Sequence, residues 1–487
     1  MKATSARSAY SSLDKTVELC RERGIVIPTI AQMKDPAKIP ESIRGTLADI
    51  GLWDLHPANL FRISWKNEPV AHGGGFTQGN WIEFPPALTR VSARILGLCG
   101  KFFPTGSHKV GAAFGCLAPR LVSGEVDPTS QKFVWPSTGN FCRGGAFVSS
   151  LLGCDAVAIL PEGMSEERFE WLRSIGAEIV ATPGTESNVK EIYDKCWEIR
   201  RSRPDHVILN QFEELGNAVW HYHVTGSLIE GLFERVAESG DRLAAFVSAS
   251  GSAGTLAAGD YLRSVGTDLK VVAVEALQCP TLLRCGFGEH RVEGIGDKHV
   301  PWIHNVRNTD VVVAVDDEHC LSLMRLFNEA TGRDLLAAEG VPSETIESLD
   351  QLGISSICNL VASIKVARYF ELGPEDVLFT PLTDSMELYA SRLDEQRTLR
   401  GAYTERDAIH DHARFLEGVA IDHMRELGYY DRKALHNLKY FTWVEQQGRT
   451  TDELNRLWQE DFWTDAFGRA TEWDRRIDDF NERVGIL

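Results

Sequence analysis

The chain has 487 residues, of which 43% are hydrophobic and 25% charged, and its formal net charge is −18 at pH 7. This length and composition are typical of a globular protein with two or more domains and a large apolar core. The acidic balance argues against a broad nucleic-acid-binding surface, and no apolar run reaches the roughly 20 residues that span a bilayer.

The N-terminal segment and the cysteines indicate where the protein works. Residues 1–18 carry mixed charge and lack the apolar stretch of a signal peptide. The ten cysteines are scattered and form no C-x-x-C pair, so we expect reduced, mostly buried thiols and no zinc site. The sequence therefore predicts a cytoplasmic protein without a bound metal.

Four regions follow one another along the chain. Residues 1–95 are predicted to be an N-terminal extension, irregular apart from a helix at Ser12–Arg23. Residues 96–225 and 226–391 alternate short Val- and Ile-rich runs with amphipathic segments, which predicts a smaller and a larger α/β domain built from right-handed βαβ units around parallel sheets. Residues 392–487 are charged and rich in Trp and Phe, and we predict a helical C-terminal extension without strands.

The middle regions contain eight predicted strands. They are Lys132–Trp135, Ala156–Leu160, Glu178–Ala181, His206–Leu209, Ala244–Ser248, Lys270–Glu275, Val311–Val315 and Asp376–Phe379. Continuous apolar runs such as Val311–Val315 suit strands that are covered on both faces. The expected fold class is therefore α/β with two doubly wound sheets.

Lys109 stands at a predicted turn from strand to helix, in the run Pro104-Thr105-Gly106-Ser107-His108-Lys109. The helix macrodipole disfavours a cation at a helix N-terminus and so lowers the pKa of an amine there. Such a lysine can act as a nucleophile or form an imine. Taken alone, Lys109 is also compatible with a solvated lysine, which is the usual case at a helix start.

Two further loops have the composition of anion sites. Ser137-Thr138-Gly139-Asn140 precedes a helix predicted at Gly144–Leu152, and its hydroxyl and N–H groups can hold a carboxylate. Gly251-Ser252-Ala253-Gly254-Thr255 opens a helix predicted at Leu256–Arg263, and its small residues let backbone N–H groups surround a phosphate. Each loop by itself is also compatible with an ordinary turn.

A fourth polar segment, Thr383-Asp384-Ser385, follows the predicted strand Asp376–Phe379, where a short side chain can meet a ligand. Pyridoxal phosphate requires an imine partner, a phosphate site and contacts for its ring oxygen and ring nitrogen. A reactive lysine, two anion loops and a polar contact, all at strand ends, meet these needs together. The combination predicts pyridoxal 5'-phosphate as the cofactor.

From about Pro85 to Ser391 these motifs resemble, in the same order, those of the fold-type II pyridoxal-phosphate enzymes, the tryptophan synthase β-subunit superfamily. The phosphate loop and Asn210-Gln211-Phe212 are most similar to those of cysteine synthases and cystathionine β-synthases. The resemblance implies that Lys109 is the Schiff-base lysine, that Asn140 binds the ring hydroxyl and that Ser385 meets the pyridine nitrogen. His108 is then either a support for the phosphate or the lysine, or a structural histidine.

The resemblance also assigns the two anion loops. The implied phosphate ligands are Gly251, Ser252, Ala253, Gly254 and Thr255, and the implied substrate contacts are Ser137, Thr138, Gly139 and Gln211.

Three departures from the family pattern leave points open. The Ser-His-Lys around Lys109 is similar to tryptophan synthase β-subunits, but the glycine-serine phosphate loop and catalytic glutamate motif of that subunit are absent, which disfavours indole chemistry. Arg143 stands where the family has an apolar residue, and it either contacts an acidic substrate or partner or pairs with a surface acid. Because Asp384 is next to Ser385, either of them can meet the pyridine nitrogen.

The resemblance implies β-elimination or β-replacement on a small amino acid, namely cysteine, serine or an O-activated serine. Lys109 would take the α-proton as a general base. The expected assembly is a homodimer that binds neither nucleic acid nor membrane. The alternatives are a serine/threonine dehydratase or diaminopropionate-type ammonia-lyase, and a non-catalytic paralogue that only binds the cofactor.

Overall fold

The computed structural model describes residues 2–68, 74–185, 188–296 and 298–486. Within these ranges eleven strands form one seven-stranded and one four-stranded sheet, which confirms the predicted α/β class. The strands are β1 Trp81–Phe84, β2 Arg94–Cys99, β3 Lys132–Pro136, β4 Asp155–Pro161, β5 Glu178–Thr182, β6 His206–Ile208, β7 Arg242–Ala249, β8 Lys270–Ala276, β9 Val311–Val315, β10 Asp376–Leu382 and β11 Met424–Glu426.

The larger sheet has the order β1-β2-β10-β7-β8-β9-β11. Its five inner strands are parallel, and Phe379 of β10 lies opposite Leu96 of β2 and Phe246 of β7. The two edge strands β1 and β11 run antiparallel to their neighbours. Every residue of β9 is buried, as expected for a Val-rich strand covered on both faces.

The smaller sheet has the order β5-β4-β3-β6 and is parallel throughout. In its centre Val134 of β3 lies opposite Val157 of β4 and Ile208 of β6. All eight strands predicted from the sequence are present in the two sheets, with ends that differ by at most three residues.

Helices cover both sheets. They are α1 Lys2–Arg23, α2 Ile30–Lys34, α3 Glu41–Leu47, α4 Pro86–Thr89, α5 Lys109–Val122, α6 Asn140–Leu151, α7 Glu166–Ser174, α8 Val189–Ser202, α9 Leu215–Trp220, α10 Gly226–Val236, α11 Ala257–Ser264, α12 Thr281–Arg284, α13 Asp317–Asn328, α14 Ala330–Ala338, α15 Ser343–Ser348, α16 Ile354–Tyr369, α17 Ala390–Arg400, α18 Glu405–His412, α19 Tyr429–Lys439, α20 Thr451–Arg456 and α21 Glu460–Val484.

Helix α5, which begins at Lys109, is held by an unusually close contact with α9. A Cβ atom added to Gly115 would lie 2.3 Å from the carbonyl oxygen of Gly216, and one added to Gly216 would lie 2.1 Å from that of Gly115. Only glycine at both positions allows the two backbones to touch. This contact fixes the position of the helix that begins with Lys109.

The N-terminal region contains more regular structure than the sequence predicts. Besides α1 it forms α2, α3 and α4, and strands β1 and β2 add to the larger sheet beside β10. The expectation of an irregular segment is wrong here because β1 is a short, half-buried edge strand that lacks a clear apolar alternation. The four-part division of the chain stays a prediction, but its boundary at residue 95 falls inside β2.

The C-terminal region is helical as predicted, but the expectation that strands stop after Ser391 is wrong. Strand β11 pairs with β9, with Arg425 opposite Val312. Its three residues, Met-Arg-Glu, carry no apolar pattern, so only the partner strand defines it. Helix α21 packs against α1, α5 and α9, which ties the end of the chain to the beginning.

The thiols follow the sequence expectation. Among the described residues all ten cysteines are unpaired, and Cys285 is the exposed one while the others are buried. None of the helices described in the structure has both the length and the apolar character needed to cross a bilayer.

Candidate active site

A narrow cavity lies where the carboxyl ends of β3 and β6 face the carboxyl end of β7, so that both sheets contribute to it. Its lining residues are Lys109, Ser137, Thr138, Asn140, Phe141, Gln211, Phe212, Gly251, Ser252, Gly294, Ile295 and Gly296. Seven of these were predicted as site residues from the sequence. The other predicted residues are not part of this lining; they are His108, Gly139, Ala253, Gly254, Thr255 and Ser385.

Lys109 is the first residue of α5, and its backbone N–H donates to Ser107 Oγ at 3.3 Å. The residue before it, His108, is buried and turned to the other side. Its ring lies 5.4 Å from Trp65 and 5.0 Å from His221, and Nε2 lies 3.3 Å from Thr383 Oγ1. Burial holds the pKa of His108 well below its usual range. These contacts favour the structural alternative for His108.

The loop predicted to hold a carboxylate is stabilised from within. Ser137 Oγ accepts hydrogen bonds from the Gly139 N–H at 3.1 Å and from Gln211 Nε2 at 3.2 Å. The next helix, α6, begins at Asn140 and not at Gly144 as predicted from the sequence, because its first turn, Asn-Phe-Cys-Arg, mixes polar and apolar residues that are all buried and so shows no amphipathic pattern. The early start brings the α6 N-terminus, with its unpaired N–H groups, to the cavity wall.

The loop predicted to hold a phosphate follows β7. None of the backbone N–H groups of residues 252–255 donates to a backbone carbonyl in the described part of the chain. Asn217, which sequence analysis missed, donates through Nδ2 to Ser252 Oγ at 3.0 Å and to the Gln211 carbonyl at 3.1 Å. Thr255 Oγ1 accepts from Ser248 Oγ at 2.8 Å. The side chains thus fix the loop and leave its N–H groups for a ligand.

Asp384 and Ser385 have different roles in the structure. Asp384 Oδ2 accepts hydrogen bonds from Asn140 Nδ2 at 2.6 Å and from the Tyr389 hydroxyl at 2.7 Å. Burial raises the pKa of the Asp384 carboxyl, and the nearby Arg168 guanidinium opposes that shift. Ser385 Oγ is buried and finds no hydrogen-bond partner among the described residues. Asp384 Oδ1 is likewise buried without a partner among the described residues, so both residues still offer a free polar atom.

Behind the cavity lies a buried ionic network that no sequence motif indicated. Arg168 of α7 donates to Glu293 at 2.5 Å, to the Tyr389 hydroxyl at 2.9 Å and to the Thr138 carbonyl at 3.2 Å. Arg392 of α17 donates to the other oxygen of Glu293 at 2.5 Å. Because these residues come from distant segments, their association depends on the tertiary fold. The network joins the smaller sheet to the larger one next to the loop Ser137–Gly139, which is called the carboxylate loop below.

Arg143 lies one helical turn after Asn140 on α6 and is 1% exposed. Its guanidinium carbon is 5.3 Å from the Trp53 ring and 4.9 Å from the Trp171 ring. Burial, and after it the charge of Arg168, lowers the pKa of Arg143 to about 10. The sequence alternative of an arginine paired with a surface acid is therefore wrong for this position.

One cluster of potential metal ligands exists among the described residues, where the sequence predicted none. Single ligand atoms of Glu339, His412 and Glu417 lie within 4.8 Å of one another. The Arg90 guanidinium lies 2.9 Å from Glu339, 3.6 Å from Glu417 and 3.3 Å from His412. A cationic side chain already occupies the position that a metal ion would take.

The fold and the cavity define an α/β enzyme with a lysine and two anion loops at strand ends. Residues 86–345 match the family model described as pyridoxal-phosphate dependent enzyme. The match covers more than half of the chain, and the chain belongs to this family.

Known proteins resemble this chain over most of their own length. A probable cysteine synthase of Bacillus subtilis is 30% identical over 291 residues, which cover 60% of this chain and 86% of that protein. The cystathionine beta-synthase of Saccharomyces cerevisiae is 26% identical over 389 residues, which cover 77% of this chain and 72% of that protein. The crystal structure of a cysteine synthase from Entamoeba histolytica has a TM-score of 0.57 at 20% identity and covers 69% of this chain and 92% of that one. This last likeness confirms the fold.

The residues of the cavity fit the family's cofactor, pyridoxal phosphate. The free N–H groups of residues 252–255 suit its phosphate, and Lys109 opens on the same cavity. Asn140 Oδ1 and Ser385 Oγ are buried polar atoms without partners among the described residues. Buried polar atoms of this kind are costly unless a ligand satisfies them, so the unmet groups match the polar groups of the cofactor.

Proposed function

We propose that this pyridoxal-phosphate-dependent enzyme catalyses β-replacement on a serine-type amino acid, with β-elimination as the first half of the reaction. The substrate is cysteine, serine or an O-activated serine. The observation that carries the proposal is the single cavity that Lys109 shares with Ser137, Gln211 and Gly251. The cysteine synthases and cystathionine beta-synthase to which the chain is similar support the reaction class.

Each side of the cavity has a proposed role in binding. Lys109 would hold the cofactor through its ε-amino group, residues 251–255 its phosphate, Asn140 its ring hydroxyl and Ser385 its pyridine nitrogen. The loop Ser137–Gly139 and Gln211 would bind the α-carboxylate of the substrate. The N–H groups at the start of α6 support this, because a helix N-terminus stabilises a bound anion.

The chemistry divides between the cofactor and the protein. When bound, pyridoxal phosphate supplies an electron sink for the charge that develops at Cα. Lys109 Nζ takes the proton from Cα of the substrate and later returns a proton to the same atom. The bond from Cβ to the leaving group breaks with its electron pair on the leaving group. A thiol that has lost its proton to solvent then forms the new bond at Cβ with the electron pair of its thiolate.

The closest rival is a dehydratase or ammonia-lyase, which would use the same lysine and loops. It would release a keto acid and ammonia without any added thiol. A non-catalytic paralogue would bind the cofactor and turn over neither substrate. The retained Lys109, set at the wall of the cavity, supports an enzyme.

The first experiment is the visible absorption spectrum of the purified protein and of the Lys109→Ala variant. We expect a yellow wild type, a variant without the cofactor absorbance of the wild type, and loss of all turnover in the variant. The matched control is Lys190→Ala, which changes an exposed lysine on α8 and leaves spectrum and activity as in the wild type. A Lys109→Ala protein that keeps wild-type activity contradicts the proposal.

Addition of L-serine, L-cysteine and O-acetyl-L-serine, one at a time, identifies the substrate. The amino acid that changes the visible spectrum is then incubated with and without sulfide. Formation of a thiol product supports β-replacement, and a keto acid formed in the absence of sulfide supports the rival.

We also propose that the protein is a homodimer that works in the cytoplasm. The buried, unpaired thiols fit a reducing compartment. Sedimentation equilibrium of the holoenzyme tests the dimer, since a monomer has a mass of 54.2 kDa.

A further inference from the structure

The guanidinium of Arg143 is a buried cation whose hydrogen-bonding atoms are all unused. Its Nε, Nη1 and Nη2 atoms have no hydrogen-bond partner among the described residues. Burial of a charge without a partner costs several kcal/mol even after the protein relaxes. A fold that keeps such a group beside its active site becomes more stable when a bound ligand supplies the missing anion.

Arg143 lies on α6 close to the cavity, although it is not part of the cavity lining. Residues three apart on a helix share a face, so Arg143 lies on the same side of α6 as Asn140, which lines the cavity. Long side chains on a helix also lean toward its N-terminus, which here is the carboxylate loop. The rings of Trp53 and Trp171 lie near the guanidinium, and aromatic rings favour the faces of a guanidinium. Its three nitrogen atoms, unpaired among the described residues, are the groups that an oxyanion would bind.

The carboxyls near Arg143 are bound by other groups. Arg168 and Arg392 share Glu293, Arg392 also pairs with Glu395, and Asp384 is bound by the neutral side chains of Asn140 and Tyr389. Among the described residues none of these carboxyls makes a hydrogen bond with Arg143. An incoming oxyanion would supply the partner that Arg143 lacks.

We propose that Arg143 binds a second oxyanion, a carboxylate or phosphate carried on the group attached to Cβ of the amino-acid substrate or on the attacking thiol. This inference rests on the proposed function. The α-carboxylate has its own receptor in the loop Ser137–Gly139, so Arg143 selects substrates that carry an additional anion. Arginine binds either oxyanion in a bidentate manner.

A matched substrate pair tests the leaving-group side. O-Acetyl-L-serine and O-succinyl-L-serine have the same ester bond at Cβ, and only the second carries a distal carboxylate. O-Phospho-L-serine tests a phosphate in the same place. In each reaction the Cβ–O bond breaks with its electrons on the departing anion, and sulfide forms the Cβ–S bond. We expect the wild-type holoenzyme to have a kcat/KM at least 10-fold higher for one of the two anionic substrates than for O-acetyl-L-serine.

A second pair tests the thiol side. With O-acetyl-L-serine as the amino acid, 3-mercaptopropionate carries a carboxylate and 2-mercaptoethanol does not. Preference for the anionic thiol assigns the oxyanion to the nucleophile. Equal rates within both pairs overturn the inference while leaving β-replacement intact. Absence of turnover with every pair, in a protein that holds its cofactor, refutes the proposed function instead.

Substitution of Arg143 separates a specific role from a structural one. Arg143→Gln is expected to lower the ratio of kcat/KM between the anionic and neutral members of the preferred pair by about 10- to 100-fold, the loss of a charge-assisted hydrogen bond. Arg143→Lys, which keeps the charge, is expected to recover part of the ratio. The control Arg173→Gln changes an exposed arginine on α7 and leaves the ratio unchanged. An unchanged ratio in Arg143→Gln overturns the inference.

A binding measurement avoids dependence on turnover. Succinate is titrated into the holoenzyme and followed by the fluorescence of tryptophan, since Trp53 and Trp171 flank the site. We expect saturable quenching that is at least 10-fold weaker in Arg143→Gln and unchanged in Arg173→Gln. If succinate gives the same titration curve with the wild type, Arg143→Gln and Arg173→Gln, the proposed binding of an oxyanion by Arg143 is contradicted.

Discussion

Gly139 shows at the residue scale how one backbone angle supports the carboxylate loop. Its φ is +155°, and an added Cβ atom would lie 2.7 Å from the Arg168 guanidinium. We expect Gly139→Ala to cost about 1–3 kcal/mol of strain and to displace the loop, because both the angle and the space require glycine. The KM for the amino acid should rise by about 10-fold or more, measured under saturating thiol.

Gly240→Ala is the matched control for this change. Gly240 also has a positive φ, +102°, but an added Cβ atom meets nothing within 4 Å. The control therefore carries backbone strain without the contact with Arg168. If KM rises equally in both variants, the contact between the new Cβ atom and Arg168 is not the cause of the rise in Gly139→Ala.

Single residues of the site were predictable where their chemistry is local. Lys109 and the loops at residues 137–140 and 251–255 are recognisable because turns, small residues and hydroxyl groups are consecutive in the chain. The partners of Asp384 were not, since Asn140 lies 244 residues away from it. The environment of the buried Arg143 likewise depends on Trp53 and Trp171, which no spacing rule connects to it.

At the element scale, the sequence predicted strands better than helix starts. Val-rich runs such as β9 are buried on both faces and leave a clear pattern. Helix α6 begins four residues early because its first turn follows directly from the loop Ser137–Gly139 and carries no amphipathic pattern of its own. Strand β11 was missed because it is defined by the exposed edge of β9, and a three-residue strand has no period of its own.

Helix α19 of the C-terminal region is anchored by a buried lysine with a pH-dependent charge. Lys439 Nζ donates to the carbonyls of Trp302 at 3.0 Å and His304 at 2.7 Å, and burial lowers its pKa to about 7. Between pH 7 and about 10.5 the unfolded chain holds the proton that the folded chain releases. We therefore expect the free energy of unfolding of the wild type, relative to Lys439→Met, to rise with pH across this window.

Urea denaturation between pH 7 and 9.5 measures this dependence. The slope of the difference should approach at most about 1.4 kcal/mol per pH unit, the value for one proton. Lys38→Met, a change at an exposed lysine, should give no such difference from the wild type. If the difference in free energy of unfolding between the wild type and Lys439→Met does not change with pH, Lys439 stays charged in the folded protein.

At the scale of the whole molecule, the two sheets are joined where the active site forms. Glu293 lies in the larger part of the molecule and precedes Gly294, which lines the cavity. It holds Arg168 from the smaller part and Arg392 from α17, each at 2.5 Å. Arg168 in turn contacts the carboxylate loop through Thr138. The same ion pairs thus position both walls of the cavity.

Neutralisation of Glu293 should loosen this junction. Glu293→Gln leaves the buried guanidinium of Arg168 and the half-buried one of Arg392 without their shared anion. Breaking one side of a buried ion pair costs about 3–5 kcal/mol. We expect a lower urea midpoint and a Kd for pyridoxal phosphate raised about 10-fold or more, followed by the visible absorbance of the bound cofactor. Glu395→Gln is the matched control, because Glu395 pairs with the same Arg392 at 3.1 Å on the exposed side. If both variants retain the cofactor equally well, the junction contributes to folding alone, and the walls of the cavity are positioned by the packing of α5 against α9 instead.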